Sequence, residues 1–198
     1  MNRTDKVIFG FIFGASFPIL FSLVGLTIGF YFYKEECIKY LFSGGLLTGI
    51  IVDILFLKRL IPNIFDLSFR IIAGFYVFYN IIIYGMFMGF PVFNLLMGIA
   101  GGYYAGKRII NNNIGSPQRE IIIKKVSGFS ALIMMLICFS SAFLAISEKT
   151  IGLELQNMLG LDFIVTKGMI IGIILIGGIS LIIIQYYLTR FTIIKTLS

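Results

Sequence analysis

The stretch Ile71–Gly106 reads IIAGFYVFYNIIIYGMFMGFPVFNLLMGIAGGYYAG, thirty-six residues without one charged side chain. A single helix of that length would be about 54 Å long at 1.5 Å per residue. The hydrocarbon core of a bilayer is about 30 Å thick, and one crossing takes about 20 residues. The stretch is therefore two short spans joined by a turn. Gly85-Met86-Phe87-Met88-Gly89-Phe90-Pro91 supplies that turn, since two glycines and a proline within seven residues break a helix.

Outward from this pair, charge gaps mark the remaining spans. Val7–Tyr33 runs 27 residues without a charge, and Tyr40–Leu57 carries only Asp53. Val126–Ser147 and Gly168–Thr189 run 22 residues each. The total is six spans in one all-α polytopic membrane domain, residues 1–198. Composition agrees: 59% of residues are apolar, 13% are charged, and the mean hydropathy is +1.01. Soluble domains carry roughly 25% charged residues. A soluble domain, a disordered chain and a nucleic-acid binder that relies on charge are all excluded.

The basic residues orient the spans. With both termini cytoplasmic, the inner segments hold twelve: Arg3, Lys6, Lys58, Arg59, Arg70, Lys107, Arg108, Arg119, Lys124, Lys125, Arg190 and Lys195. The outer segments hold four, Lys34, Lys39, Lys149 and Lys167. This is the asymmetry of a protein inserted with its positive loops inside. The first apolar stretch is too long for the apolar core of a signal peptide, and no small-x-small site closes it, so it is expected to stay as span 1. The expected location is the plasma membrane. The abundance of Ile, Phe, Lys and Asn suggests an AT-rich, prokaryotic genome.

An internal match joins spans 1 and 4. At a constant offset of 73, Phe17, Pro18, Leu23, Gly25, Gly29, Tyr31 and Lys34 face Phe90, Pro91, Leu96, Gly98, Gly102, Tyr104 and Lys107. Span 1 runs outward and span 4 inward, so half-repeats 1–90 and 91–198 would be related by inversion. Inverted halves recur in secondary transporters, with the substrate site between them near the midplane. The competing reading is that small residues, Tyr and Lys recur because membrane helices favour them at contacts and interfaces.

The chemistry available is narrow. There is no His, which removes imidazole proton shuttles, Ser-His-Asp triads and His-ligated metals. Cys37 is expected near a surface and Cys138 deep in a span, so no disulfide and no thiolate metal site are expected. No phosphate-binding Gly-rich loop is present. No cofactor is expected, and with one embedded acid the chain lacks an acid–base pair for catalysis.

What remains are polar residues in the spans. Asp53 is the only acid within one, a candidate cation or proton site; its rival role is pairing with Lys58 or Arg59 at the inner surface. Ser16, Ser22, Thr48 and Asn94 are expected to share a partly polar path with it. Asn80 and Gln185 hold helices together or add to that path. Pro18 and Pro91 break their helices, Pro18 by leaving the Gly14 carbonyl without a donor. Gly25 with Gly29, Gly98 with Gly102 and Gly45 with Gly49 are spaced for close helix packing; a homodimer face is their other use. Lys107, Arg108, Lys124 and Lys125 bracket an inner loop and suit topology or anionic lipid headgroups. Between Glu148 and Lys167, Ile151, Leu155, Met158 and Leu159 form the stripe of a short interfacial helix.

The segment Leu41-Phe42-Ser43-Gly44-Gly45-Leu46-Leu47-Thr48-Gly49-Ile50-Ile51-Val52-Asp53 resembles the Gly-rich second span of the substrate-capture subunits of energy-coupling vitamin transporters, which also have six spans. The likeness covers under a tenth of the chain and assigns no family. Two functions follow as expectations: a small transporter or channel-like protein, or a solute-capture or accessory subunit of a larger transport complex.

Overall fold

The computed structural model describes residues 3–32, 35–87, 89–147, 152, 156, 160 and 165–198. All its regular elements are helical: α1 (Arg3–Gly14), α2 (Ser16–Phe32), α3 (Glu35–Leu60), α4 (Phe69–Met86), a 3₁₀ turn (Pro91–Asn94), α5 (Leu95–Asn111), α6 (Ser116–Ser147) and α7 (Lys167–Leu197). Among the described residues, five helical stretches are long and apolar enough to cross a membrane: Val7–Phe32, Cys37–Phe56, Phe69–Met86, Ser116–Ser147 and Lys167–Leu197. The sixth expected span is α5, 17 residues long and lengthened at its start by the 3₁₀ turn. The break expected between Gly85 and Pro91 is present. α4 stops at Met86, Gly89 takes φ +82°, and its amide bonds back to the Tyr84 carbonyl at 2.9 Å. The interfacial helix expected between Glu148 and Lys167 falls largely outside the described residues.

The chain divides into two compact units, Met1–Phe75 and Tyr76–Ser198, so the division falls within α4. In the first unit, α1 and α2 are separated at Ala15, and Pro18 is the third residue of α2. Proline is tolerated in a first helical turn, where no amide donor is needed. The amide of Ile19 bonds to the Ala15 carbonyl and resumes the ladder.

α2 and α3 pack antiparallel and very closely. A Cβ on Gly25 would collide with the Leu41 carbonyl, and one on Gly45 with the Phe21 carbonyl. One on Gly49 would lie 2.7 Å from the Phe17 carbonyl, beside Pro18. The small residues expected to let backbones approach do so here. Phe9, Phe13, Leu60, Ile64 and Phe65 bury a small apolar core, tied by edge contacts of Phe9 with Phe65 and of Phe13 with Phe75.

In the second unit α5 lies on α7, and the two run in the same direction. Gly98 faces Gln185 and Thr189, Gly102 faces Thr189 and Thr192, and Gly106 faces Thr196. Where α5 ends and α6 begins, Ala105, Ile109, Ile123 and Ile193 form a closed apolar core. The glycine stripes of α2 and α5 thus serve the same packing purpose on different partners, α3 for one and α7 for the other.

Candidate functional site

The expected path residues are distributed over both units. Ser16, Ser22 and Asp53 are buried in the first. Ser16 Oγ reaches the Ile12 carbonyl at 3.5 Å, across the α1–α2 break. Ser22 Oγ and Asp53 Oδ1 have no hydrogen-bond partner among the described residues. The register of α2 against α3 shows where Asp53 lies. Gly25 meets Leu41 and Phe21 meets Gly45, each pair summing to 66, while Pro18 meets Gly49, summing to 67. Asp53 stands one turn further along α3 from Gly49, toward the start of α2. The side chains of Lys58 and Arg59, its rival partners, are outside the described residues. Thr48 does not join this group. It is exposed, and its hydroxyl donates to the Gly44 carbonyl of its own helix at 2.8 Å.

Asn94 belongs to the second unit, which gathers a buried polar cluster from four elements. α4 contributes Tyr76 and Asn80, the 3₁₀ turn Asn94, α6 Ser130, and α7 Gln185 and Thr189; Ser127 is buried on α6 three residues before Ser130. Asn94 and Thr189 are 0% exposed, Ser127 0%, Gln185 1%, and Asn80 and Ser130 2%. Tyr76 Oη and Ser130 Oγ are 2.5 Å apart. Gln185 Nε2 donates to both, at 3.0 and 2.8 Å, and Thr189 Oγ1 donates to Ser130 Oγ at 3.0 Å. Two donors therefore fill both lone pairs of Ser130, so its own proton goes to Tyr76.

Glycine makes room for this cluster. A Cβ on Gly98 would come within 2.9 Å of Gln185 Nε2 and Thr189 Oγ1. Asn94, one turn before Gly98, donates to Asn80 and pins the α4–α5 turn. The same turn is held by the stacked rings of Phe87 and Phe93 and by Ser141, whose hydroxyl donates to the Gly89 carbonyl at 2.9 Å.

Among the described residues, three buried atoms on these elements lack partners: Asn94 Oδ1, Ser127 Oγ and Gln185 Oε1. A buried polar atom left unmet costs about 1–3 kcal/mol. Turning either amide over would only exchange an unmet acceptor for an unmet donor group. Each of these buried acceptors has the capacity to accept a bond from a small donor or to meet a cation.

In comparison with known proteins, the chain matches no family model, no curated relative and no solved structure.

Of this cluster the sequence pointed to Asn80, Asn94 and Gln185. Tyr76, Ser127, Ser130 and Thr189 were missed. Their signal was spacing: Tyr76 with Asn80 and Gln185 with Thr189 are four apart, and Ser127 with Ser130 three apart, each pair on one helix face. The helix-break and packing residues stand as described above: Pro18 and Pro91 each open a helical segment, and Gly25, Gly29, Gly98 and Gly102 are all at helix contacts.

Proposed function

We propose that the chain is a small transporter or channel-like protein of the cell membrane, moving a small cation or a polar, hydrogen-bond-donating solute. The observation that supports this is the buried cluster of the second unit, with Asn94 Oδ1, Ser127 Oγ and Gln185 Oε1 unmet among apolar helices. Polar groups inside a membrane bundle mark substrate and ion pathways. On this reading the membrane is the plasma membrane of a prokaryote, crossed six times with both termini cytoplasmic. Asp53 couples transport to a cation or proton, and the offset-73 match reflects two inverted halves that rock about the site.

The test is flux through the purified protein reconstituted in vesicles, with sodium, potassium and methylammonium as probes, beside Asn94→Leu and Gln185→Leu. Flux above empty vesicles that both variants abolish supports the reading. No flux of any probe, together with an ATPase that copurifies from native membranes, favours the capture-subunit alternative instead.

A further inference from the structure

At the end of the second unit where α6 begins and α7 finishes, an open cavity of about 590 Å³ lies between the two helices. Arg119, Lys124 and Arg190 line it with a single acid, Glu120, so three positive charges against one leave a surplus of +2. Arg119, Lys124 and Arg190 are in no ion pair with a described carboxylate. Such a surplus gathered around one cavity repels itself, and an anion relieves it.

Depth narrows the anion. Lys124 comes just before the charge-free stretch of α6 that starts at Val126, and Arg190 is the first residue after the charge-free stretch of α7 that ends at Thr189. Both cations therefore stand at the edge of the hydrocarbon, where lipid phosphates lie. The remaining wall is mostly apolar, with Ile123 buried, Ile194 47% exposed, Pro117, and Ser116 as its one hydroxyl. A free anion has no use for that wall, whereas a glycerolipid lays its backbone and first methylenes on it. Guanidinium groups bind phosphate oxygens two at a time.

We propose that this cavity binds the phosphate group of an anionic phospholipid, with Arg119 and Arg190 holding the phosphate and Lys124 adding charge. The site is independent of whether the chain transports anything. Lysines and arginines with this chemistry also accept free phosphate, so the experiment separates the two sources.

Full-length protein in detergent is titrated with phosphatidylglycerol, with phosphatidylcholine and with inorganic phosphate at matched ionic strength. Thermal stability and retained lipid, by native mass spectrometry, are the readouts. Phosphatidylglycerol should raise the midpoint and stay bound, and the other two should not. Arg119→Gln with Arg190→Gln should weaken phosphatidylglycerol at least tenfold, and Lys39→Gln should leave it unchanged. Lys124→Gln, with its unliganded midpoint checked, serves if the double variant folds poorly. Equal stabilisation by inorganic phosphate, or unchanged lipid binding in these variants, overturns the proposal.

Discussion

Asn94 donates from one amide nitrogen to both the backbone carbonyl and the side-chain oxygen of Asn80, at 2.8 and 3.0 Å. The bond joins residues fourteen positions apart, on either side of the turn between α4 and α5. It explains why the charge-free stretch folds back on itself at a fixed place. Pro91 opens the 3₁₀ turn, and Asn94 at its end locks the turn to α4.

Replacing Asn94 by Ala removes both bonds. Hydrogen bonds within membrane bundles average about 0.6 kcal/mol and reach about 1.7. A loss of about 1–2 kcal/mol is expected, read as a lower midpoint of thermal unfolding in detergent. An unchanged midpoint would show that the clamp contributes nothing.

Adjacent glycines of α3 should respond in opposite directions. A Cβ on Gly45 meets the Phe21 carbonyl, while one on Gly44 meets nothing within 4 Å. Gly45→Ala should destabilise by about 1–3 kcal/mol, as overpacking does. Gly44→Ala should be neutral or gain up to about 1 kcal/mol from helix propensity. Thermal midpoints of the two variants check this, and equal shifts would refute the close α2–α3 packing.

Serines of α6 separate folding from function. Ser130 joins Tyr76, Gln185 and Thr189, whereas Ser127 Oγ is buried without a partner. Ser130→Ala should destabilise by about 1–3 kcal/mol, because it strips partners from buried groups. Ser127→Ala should leave stability unchanged or raise it. If Ser127 helps hold a solute, the same variant transports more slowly. A destabilised Ser127→Ala would mean that the hydroxyl has a structural partner.

Topology is checked by reporter fusions. Those at Asn112 and Ser198 should read cytoplasmic and one at Asn157 external, because alternation of six spans and the twelve-to-four basic split require it. An external reading at Asn112 would refute the six-span count.

Charge made the helices legible in the sequence. Long gaps between Lys, Arg, Asp and Glu bound the spans, because each embedded charge is costly and is therefore excluded. Glycine spacing likewise foretold close contacts at Gly25, Gly45, Gly98 and Gly102, though not their partners. Gly25 meets α3 and Gly98 meets α7, and that choice is tertiary, made by packing within each unit. The polar cluster was only partly visible for a related reason. Ser127, Ser130 and Thr189 are ordinary residues in an apolar helix, since each can satisfy its hydroxyl on its own backbone, as Thr48 does. Only the assembly shows that Ser130 instead binds Gln185 across to α7.

Asp53 offers the sharpest test of the transport reading. Asp53 is buried, its Oδ1 has no hydrogen-bond partner among the described residues, and it lies one turn from Gly49, which packs on Pro18. A buried carboxylate with an oxygen left unmet is suited to a cation or proton. Asp53→Asn keeps the shape and removes the charge. Insertion scales set a charged Asp at a helix centre at about 2.5–3.5 kcal/mol unfavourable, so the variant should fold at least as stably as the wild type. Its flux in vesicles should no longer respond to an imposed sodium or pH gradient. A structural ion pair with Lys58 or Arg59 gives the opposite sign, because breaking a buried pair costs about 3–5 kcal/mol. A lower thermal midpoint with gradient-driven flux intact would therefore remove Asp53 from the mechanism and make it a structural residue.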